Sequence, residues 1–107
     1  FMNHETFCNL AAKRFQACQD ILAAKSKEYS RDEDKLHNFK IAGQMLQCTP
    51  EMSLIGMKIK HDVSILDIVA DLNVGRLPYE GTLSEKITDS INYLILLEAL
   101  ITERRQA

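Results

Sequence analysis

The sequence predicts an all-α protein, an up-down four-helix bundle, forming a single domain over residues 1–107. Three observations favour this class: four amphipathic segments have short connections, their apolar residues recur at helical spacing, and no segment alternates like a strand. The two prolines and three of the four glycines lie outside these segments or near their ends. A chain of this length can bury one core without disulfides. Phe1 and Met2 are expected to form a disordered start.

The first two helices are predicted from caps and apolar spacing. Asn3 is a favourable N-cap, and the first helix is expected to end near Lys27. The residues that follow at helical spacing are Phe7, Ala11, Phe15, Cys18, Leu22 and Lys25. A charged connection over residues 25–34 follows, in which Asp32 can cap the second helix. The apolar positions of that helix are Leu36, Phe39, Ala42 or Gly43, and Leu46.

The third helix has the clearest start signal, with Thr49 as N-cap and Pro50 at the first helical position. It is predicted to run to about Leu72. Its core stripe is predicted to be Met52, Ile55, Ile59, Val63, Leu66 and Ala70, and its solvent stripe Lys60, Ser64, Asp67 and Asp71. Lys58, His61 and Asp62 lie between these stripes, on a surface that becomes apolar again with Ile65 and Ile68.

The fourth helix combines an acidic beginning with an apolar end. Residues 82–85, Thr-Leu-Ser-Glu, match a capping box and predict its start. Its core stripe is predicted to be Ile87, Ile91, Leu94 and Ile101, and the opposite stripe carries Glu85, Asp89 and Asn92 before Leu96. A stripe facing only water would stay polar, so this acidic face is expected to line a cleft or a subunit boundary. A solvated first turn stabilised by the helix dipole is the alternative interpretation.

Composition excludes several classes of function. A net charge of −2 without a basic run argues against direct nucleic-acid binding. The most apolar window, residues 91–101, is too short to span a membrane and contains Glu98. Three cysteines without paired spacing argue against a disulfide framework or a zinc site, and no signal peptide is expected before the first helix. We therefore expect a cytoplasmic protein.

Antiparallel packing of the third and fourth helices would form a groove between their polar residues. Aligned by distance from their connection, Asn92 lies level with Asp62, and Asp89 with Ile65. The groove would then be bordered by Glu85, Asp89, Asn92, Asp62, His61 and Lys58. Its acids could hold a hard cation while Lys58 and His61 face an anionic group. Alternatively, Lys58 and Asp62 form an ordinary i,i+4 pair and His61 is a structural histidine.

Three motifs together carry a resemblance that extends from about Leu22 to Glu103. They are Glu85-x-x-x-Asp89-x-x-Asn92-Tyr93, Glu28-Tyr29 with Lys25 just before it, and Lys58-x-x-His61. The chain resembles small phage and prophage proteins similar to the MazG-like, all-α nucleoside triphosphate pyrophosphohydrolases and to helical domains associated with nucleotide modification. In that superfamily one helix supplies a pair of glutamates and a later helix a Glu/Asp pair, which together hold magnesium. Only the later pair is matched, by Glu85 and Asp89.

The resemblance implies a role for each motif residue. Mg²⁺ (or Mn²⁺) would be held by Glu85 and Asp89, the catalytic pair, with Asp62, Glu28 or a second subunit completing the site. Substrate contacts would come from Lys58 and His61 to phosphate, Asn92 to water or ligand, Tyr93 or Tyr29 to the base, and Lys25 next to them.

Two functional hypotheses follow from the sequence. One is a magnesium-dependent nucleotide-binding protein or pyrophosphohydrolase. The other is a non-catalytic phage accessory protein that forms a helical homo-oligomer and binds a host or phage protein. The third and fourth helices have more apolar perimeter than one core needs, which predicts a homodimer or homotetramer held mainly through them.

Overall fold

The protein is all-helical. The computed structural model describes residues 1–29, 31 and 33–107, without the side chains of residues 26–29. Four helices follow one another: α1 (His4–Tyr29), α2 (His37–Leu46), α3 (Pro50–Leu72) and α4 (Glu80–Gln106). An isolated β-bridge pairs Arg31 with Asp34 in the α1–α2 connection. None of the four helices, over the residues described, is long and apolar enough to cross a membrane.

Two predicted helix caps are confirmed and one is wrong. The Asn3 side chain accepts a hydrogen bond from the Thr6 amide at 2.8 Å, and the Thr49 hydroxyl accepts one from the Met52 amide at 3.1 Å. The predicted capping box at residues 82–85 lies inside α4, which begins at Glu80 with Tyr79 as its N-cap and no side-chain cap bond. Tyr79 has the extended backbone that is typical of an N-cap residue, and the helix begins at the next residue. Asp32, predicted to cap α2, lies outside the described residues.

Helices α3 and α4 are antiparallel, as predicted. Glu51 in the first turn of α3 pairs with Arg104 in the last turn of α4. Further along, His61 lies beside Asp89 and Tyr93. This agrees with the register expected from the length of the connection.

The direction of α1 differs from that of an up-down bundle. Arg14 contacts Ser84 and Thr88, and Cys18, one turn later, contacts Thr88 and Asn92. Both helices therefore advance in the same direction, whereas strict alternation would make α1 antiparallel to α4. Helix α2 also advances in the direction of α4, since Leu36 lies beside Ile95 and Lys40 lies beside Glu103. Among the described helices the first reversal therefore falls between α2 and α3.

The small apolar core lies where α2, α3 and the second half of α4 meet. Its buried members are Leu36, Phe39, Leu54 and Leu100, with Met57, Tyr93, Leu96, Leu97 and Ala99 packed against them. Ser53 donates to the Phe39 carbonyl at 3.0 Å, which fixes α3 against α2. A Cβ on Gly43 would lie 2.9 Å from the Cys48 carbonyl oxygen, so this close helix–turn contact requires glycine.

The predicted core stripe of α3 is wrong. Its members face outward, with Met52 60% and Leu66 67% exposed, while the opposite face, which carries Leu54 and Met57, packs on the core. Helix α3 has two apolar faces about 180° apart, and only its partners decide which one is buried. The predicted polar stripe of α3 is largely exposed, as expected.

Parts of the other apolar stripes are also exposed. Cys18 is buried as predicted. Other residues of the predicted apolar stripes of α1, α2 and α4 are exposed: Phe7, Phe15, Leu46, Leu94 and Ile101. Of the α4 stripe, Ile87 and Ile91 are half-buried. The acidic face of α4 instead turns inward at Asp89 and Asn92, because α1 and α3 pack on either side of them, while Glu85 stays exposed.

Candidate functional site: a buried carboxylate between three helices

The polar face of α4 is buried at its centre. Asp89 and Asn92 are only 8% and 6% exposed. The Asn92 amide donates to the Cys18 carbonyl at 3.0 Å, which ties α4 to α1. A buried carboxylate is costly unless cations or hydrogen bonds compensate it. The Asp89 carboxylate therefore requires cationic or hydrogen-bonding groups near it.

Side chains from two other helices flank Asp89. Lys25 Nζ of α1 lies 3.9 Å from Oδ1, and His61 Nδ1 of α3 lies 3.8 Å from Oδ2. Both distances are too long for hydrogen bonds. Lys25 compensates the charge of the carboxylate, and His61 adds to this only when its ring is protonated.

Two polar atoms of these residues have no hydrogen-bond partner. Among the described residues, Asn92 Oδ1 and His61 Nδ1 are both buried and make no hydrogen bond. A buried polar atom without a partner costs about 1–3 kcal/mol, so a ligand atom that paired with either of them would be stabilised.

A cleft opens beside these atoms between α1 and α4. Its enclosed part measures about 10 Å³ and is lined by Ile21, Leu22, Lys25, Asp89, Asn92, Tyr93 and Leu96. That volume accommodates one water molecule. We use the name Asp89 groove for Lys25, His61, Asp89, Asn92 and Tyr93.

Several residues predicted for the site do meet here. Lys25, Asp89, Asn92 and Tyr93 line one cleft, although Lys25 belongs to a helix whose placement the sequence left open. His61 joins them, its ring 5.4 Å from that of Tyr93 and tilted by 45°.

Other predicted residues lie at the edge of the groove or outside it. Lys58 donates to Asp62 at 2.7 Å, the i,i+4 pair that helical spacing allows. The Glu85 side chain, one turn before Asp89, is 63% exposed, and Lys86 lies 4.0 Å away. Of the two acids in the predicted α4 pair, only Asp89 is therefore buried. The side chains of Glu28 and Tyr29 lie outside the described residues.

No group of three or more His, Cys, Asp or Glu side chains in the described part of the chain could hold a metal ion. Asp89 and Glu85, one helical turn apart, are the two carboxylates of the predicted pair, and only Asp89 is buried.

The sequence interpretation missed Arg14. Its guanidinium donates to Ser84 Oγ and Thr88 Oγ1, both at 2.6 Å, and so joins α1 to the start of α4. Thr88 is almost fully buried. Arg14 precedes Cys18 by one turn, so a charged residue in line with the buried face of α1 was the available signal.

Comparison of the chain with protein-family models, with curated proteins and with solved structures finds no match.

Proposed function

We propose that this chain binds a nucleoside phosphate at the Asp89 groove, in a metal-dependent manner. The candidate reaction is hydrolysis of a nucleoside triphosphate to the monophosphate and pyrophosphate. The observation that carries the proposal is the buried Asp89 carboxylate between Lys25 and His61, beside the unpaired Asn92 Oδ1. The resemblance of the three sequence motifs to the MazG-like enzymes supports the same choice.

Each residue of the Asp89 groove would contact a different part of the nucleotide. Lys25 is partly exposed and can turn from Asp89 towards a phosphate, while Lys58 would have to leave Asp62 to do so. Asn92 Oδ1 can accept a hydrogen bond from a water molecule or a ligand N–H, and Tyr93 offers an aromatic surface for a base. Because the enclosed cleft holds only one water-sized group, the rest of the nucleotide would lie along the open rim.

The proposed metal is Mg²⁺, with Mn²⁺ as a substitute. Asp89 and Glu85 would hold it, with Asp62 and Glu28 as further candidates. When bound, the metal would neutralise phosphate charge. The residues of the chain would keep the ligand oriented and exclude bulk water from the buried end of the groove.

Calorimetric titration with each ribo- and deoxyribonucleoside triphosphate tests the proposal, with Mg²⁺, Mn²⁺ or EDTA present. Reaction products are separated by ion-exchange chromatography. We expect metal-dependent binding, and we expect D89N to weaken it at least tenfold. The matched control D71N, an exposed acid at the end of α3, should bind like the parent. Failure of every nucleotide to bind or to turn over would contradict the proposal.

A second candidate is a non-catalytic phage accessory protein that works as a homodimer or homotetramer and binds a host or phage protein. The outward apolar face of α3 favours it. In this case the melting temperatures of E85Q and D89N should equal that of the parent, both with and without Mg²⁺. A metal-dependent rise in melting temperature that these substitutions abolish would contradict it.

A further inference from the structure

The outward face of α3 carries a continuous apolar stripe. We define the α3 stripe as the exposed residues Met52, Ile55, Ile59, Val63 and Leu66. They recur every three or four residues, and they lie opposite Leu54 and His61, which face the interior. A helix that is apolar on both faces is typical of one packed between two partners. Among the described residues, the helices that pack on α3, α2 and α4, lie on its other side.

The exposed area of the chain is larger than its mass requires. A folded monomer of 12.2 kDa is expected to expose about 6,100 Å². This chain exposes 8011 Å². Its radius of gyration is 16.2 Å, whereas about 13 Å is expected for this length. The exposed area exceeds this expectation by about 1,900 Å² per chain. Each partner of an obligate homodimer buries about 1,000–2,500 Å², so the excess falls within that range, whereas each partner of a standard interface buries about 800 Å².

We infer that the α3 stripe packs against the α3 stripe of a second copy of this chain, with the two helices antiparallel about a two-fold axis at Val63. This deepens the self-association of the second candidate and is independent of nucleotide binding. A two-fold axis at Val63 places Ile59 against Leu66 of the second copy. The same apolar face is then buried on both chains, as an isologous interface requires.

Charges beside the stripe select the antiparallel orientation. Lys60 and Asp67 lie on the same flank of α3, and both are exposed. In an antiparallel pair like flanks meet, so each Lys60 faces Asp67 of the other copy. A parallel pair would bring opposite flanks together and place Asp62 of one copy near Asp67 of the other. Opposite charges at such flanking positions set the orientation of paired helices.

A glycine on the same face agrees with this packing. Gly56 lies inside α3, and a Cβ there would meet no other atom within 4 Å. Glycine in a helix interior costs about 1 kcal/mol relative to alanine, and the chain itself gives no reason for it. With the axis at Val63, Gly56 lies across from Ala70 of the second copy. Two small residues at that level allow the helix backbones to approach closely.

Sedimentation velocity of the full chain across a concentration series tests the inference. We expect a dimer for the parent protein and a dissociation constant raised on the order of a hundredfold or more by V63E, because a charge is buried twice at the centre of the interface. The matched control is L94E, since Leu94 and Val63 are 53% and 52% exposed but lie on different helices. This variant should still dimerise like the parent. A monomeric parent, or a V63E protein that dimerises normally, would overturn the inference.

A charge exchange tests the orientation even if V63E fails to fold. K60E should weaken the dimer on the order of tenfold, because each copy then places two acids face to face. The double variant K60E/D67K restores opposite charges in an antiparallel pair and should recover the parent affinity. No recovery in the double variant would overturn the antiparallel arrangement. Nucleotide binding, measured separately with the same proteins, keeps a failure of the Asp89 proposal distinguishable from a failure of this one.

Discussion

At the scale of single residues, Asn92 links the two halves of the molecule. It is buried, and its amide donates to the Cys18 carbonyl of α1. Among the described residues, Arg14 also joins the two helices by hydrogen bonds to Ser84 and Thr88. The amide nitrogen of Asn92 therefore ties α1 to α4, while its amide oxygen is buried without a hydrogen bond.

We expect N92A to lower the free energy of unfolding by about 1–3 kcal/mol, because it removes a buried hydrogen bond and leaves a small cavity. Urea unfolding followed by circular dichroism measures this change. The control N73A alters an asparagine that is exposed at the end of α3 and should stay within about 0.5 kcal/mol of the parent. Equal stabilities of the two variants would show that the bond to Cys18 contributes little.

How far the site could be predicted is clearest at these residues. The polar interruption of an apolar helix indicated Asp89 and Asn92, and the motif spacing indicated His61. Arg14 was missed because its partners, Ser84 and Thr88, lie on a helix far away in sequence. The Glu85 prediction depended on helix rotation, which an i,i+4 acid pair does not determine: one acid can be buried while the other, one turn towards the helix start, reaches solvent.

At the scale of elements, the starts of α3 and α4 show which residues that match a capping pattern in the sequence act as N-caps in the structure. Thr49 and Thr82 both looked like N-caps in the sequence. Only Thr49 has the extended backbone and accepts an amide hydrogen bond, whereas Thr82 lies within α4 and is exposed. A capping hydroxyl is effective only where the amides of the first turn are still unpaired.

We expect T49A to destabilise the protein by about 1 kcal/mol, the usual effect of losing a threonine N-cap. T82A should be neutral or slightly stabilising, because alanine is the better helix former at an uncapped position. Thermal and urea unfolding of both variants, with the parent beside them, provide the comparison. A larger loss for T82A would indicate that α4 begins at the predicted capping box after all.

The bounds of a helix could be predicted from the sequence where neighbouring residues determine them. Which face of the helix is buried could not be predicted. The bounds of α3 follow from Thr49, Pro50 and the turn after Leu72, and the structure reproduces them. The buried face of α3 depends on where α2 and α4 lie, and its two apolar faces are equally suited to burial. Likewise, the direction of α1 depends on a polar connection without a turn signature. Long-range packing, which no single segment encodes, settled both.

At the scale of the whole molecule, a set of ion pairs joins α2 and the start of α3 to the last turns of α4. Lys40 lies 2.7 Å from Asp34 and 2.8 Å from Glu103, and Arg104 donates to Glu51 at 2.9 Å. The hydrogen bond from Lys40 lowers the pKa of Asp34, and the hydrogen bond from Arg104 lowers the pKa of Glu51. This end of the molecule therefore depends on ionised carboxylates.

The lowered pKa values predict where stability changes with pH. A carboxylate with a depressed pKa in the folded state stabilises the protein above its unfolded pKa and loses that contribution as pH falls through the folded pKa. Since the ordinary pKa values are 3.8 for Asp34 and 4.5 for Glu51, we expect these pairs to contribute constantly from pH 7 to about pH 5 and progressively less below about pH 4.5. Urea unfolding at each pH, at low and high salt, measures the effect.

The variant D34N/E51Q isolates these two groups within the acid response of the whole chain. It should be less stable than the parent at pH 7, and its stability should decline less steeply below pH 4.5, because two of the protons that drive acid unfolding are no longer taken up. Added salt should weaken the parent towards the variant at pH 7, since the pairs are partly exposed and screened. The control D71N removes an exposed acid near the α3–α4 turn and should keep the acid response of the parent. If parent and double variant lost stability in parallel, the ends of the helices would be held by the apolar core alone.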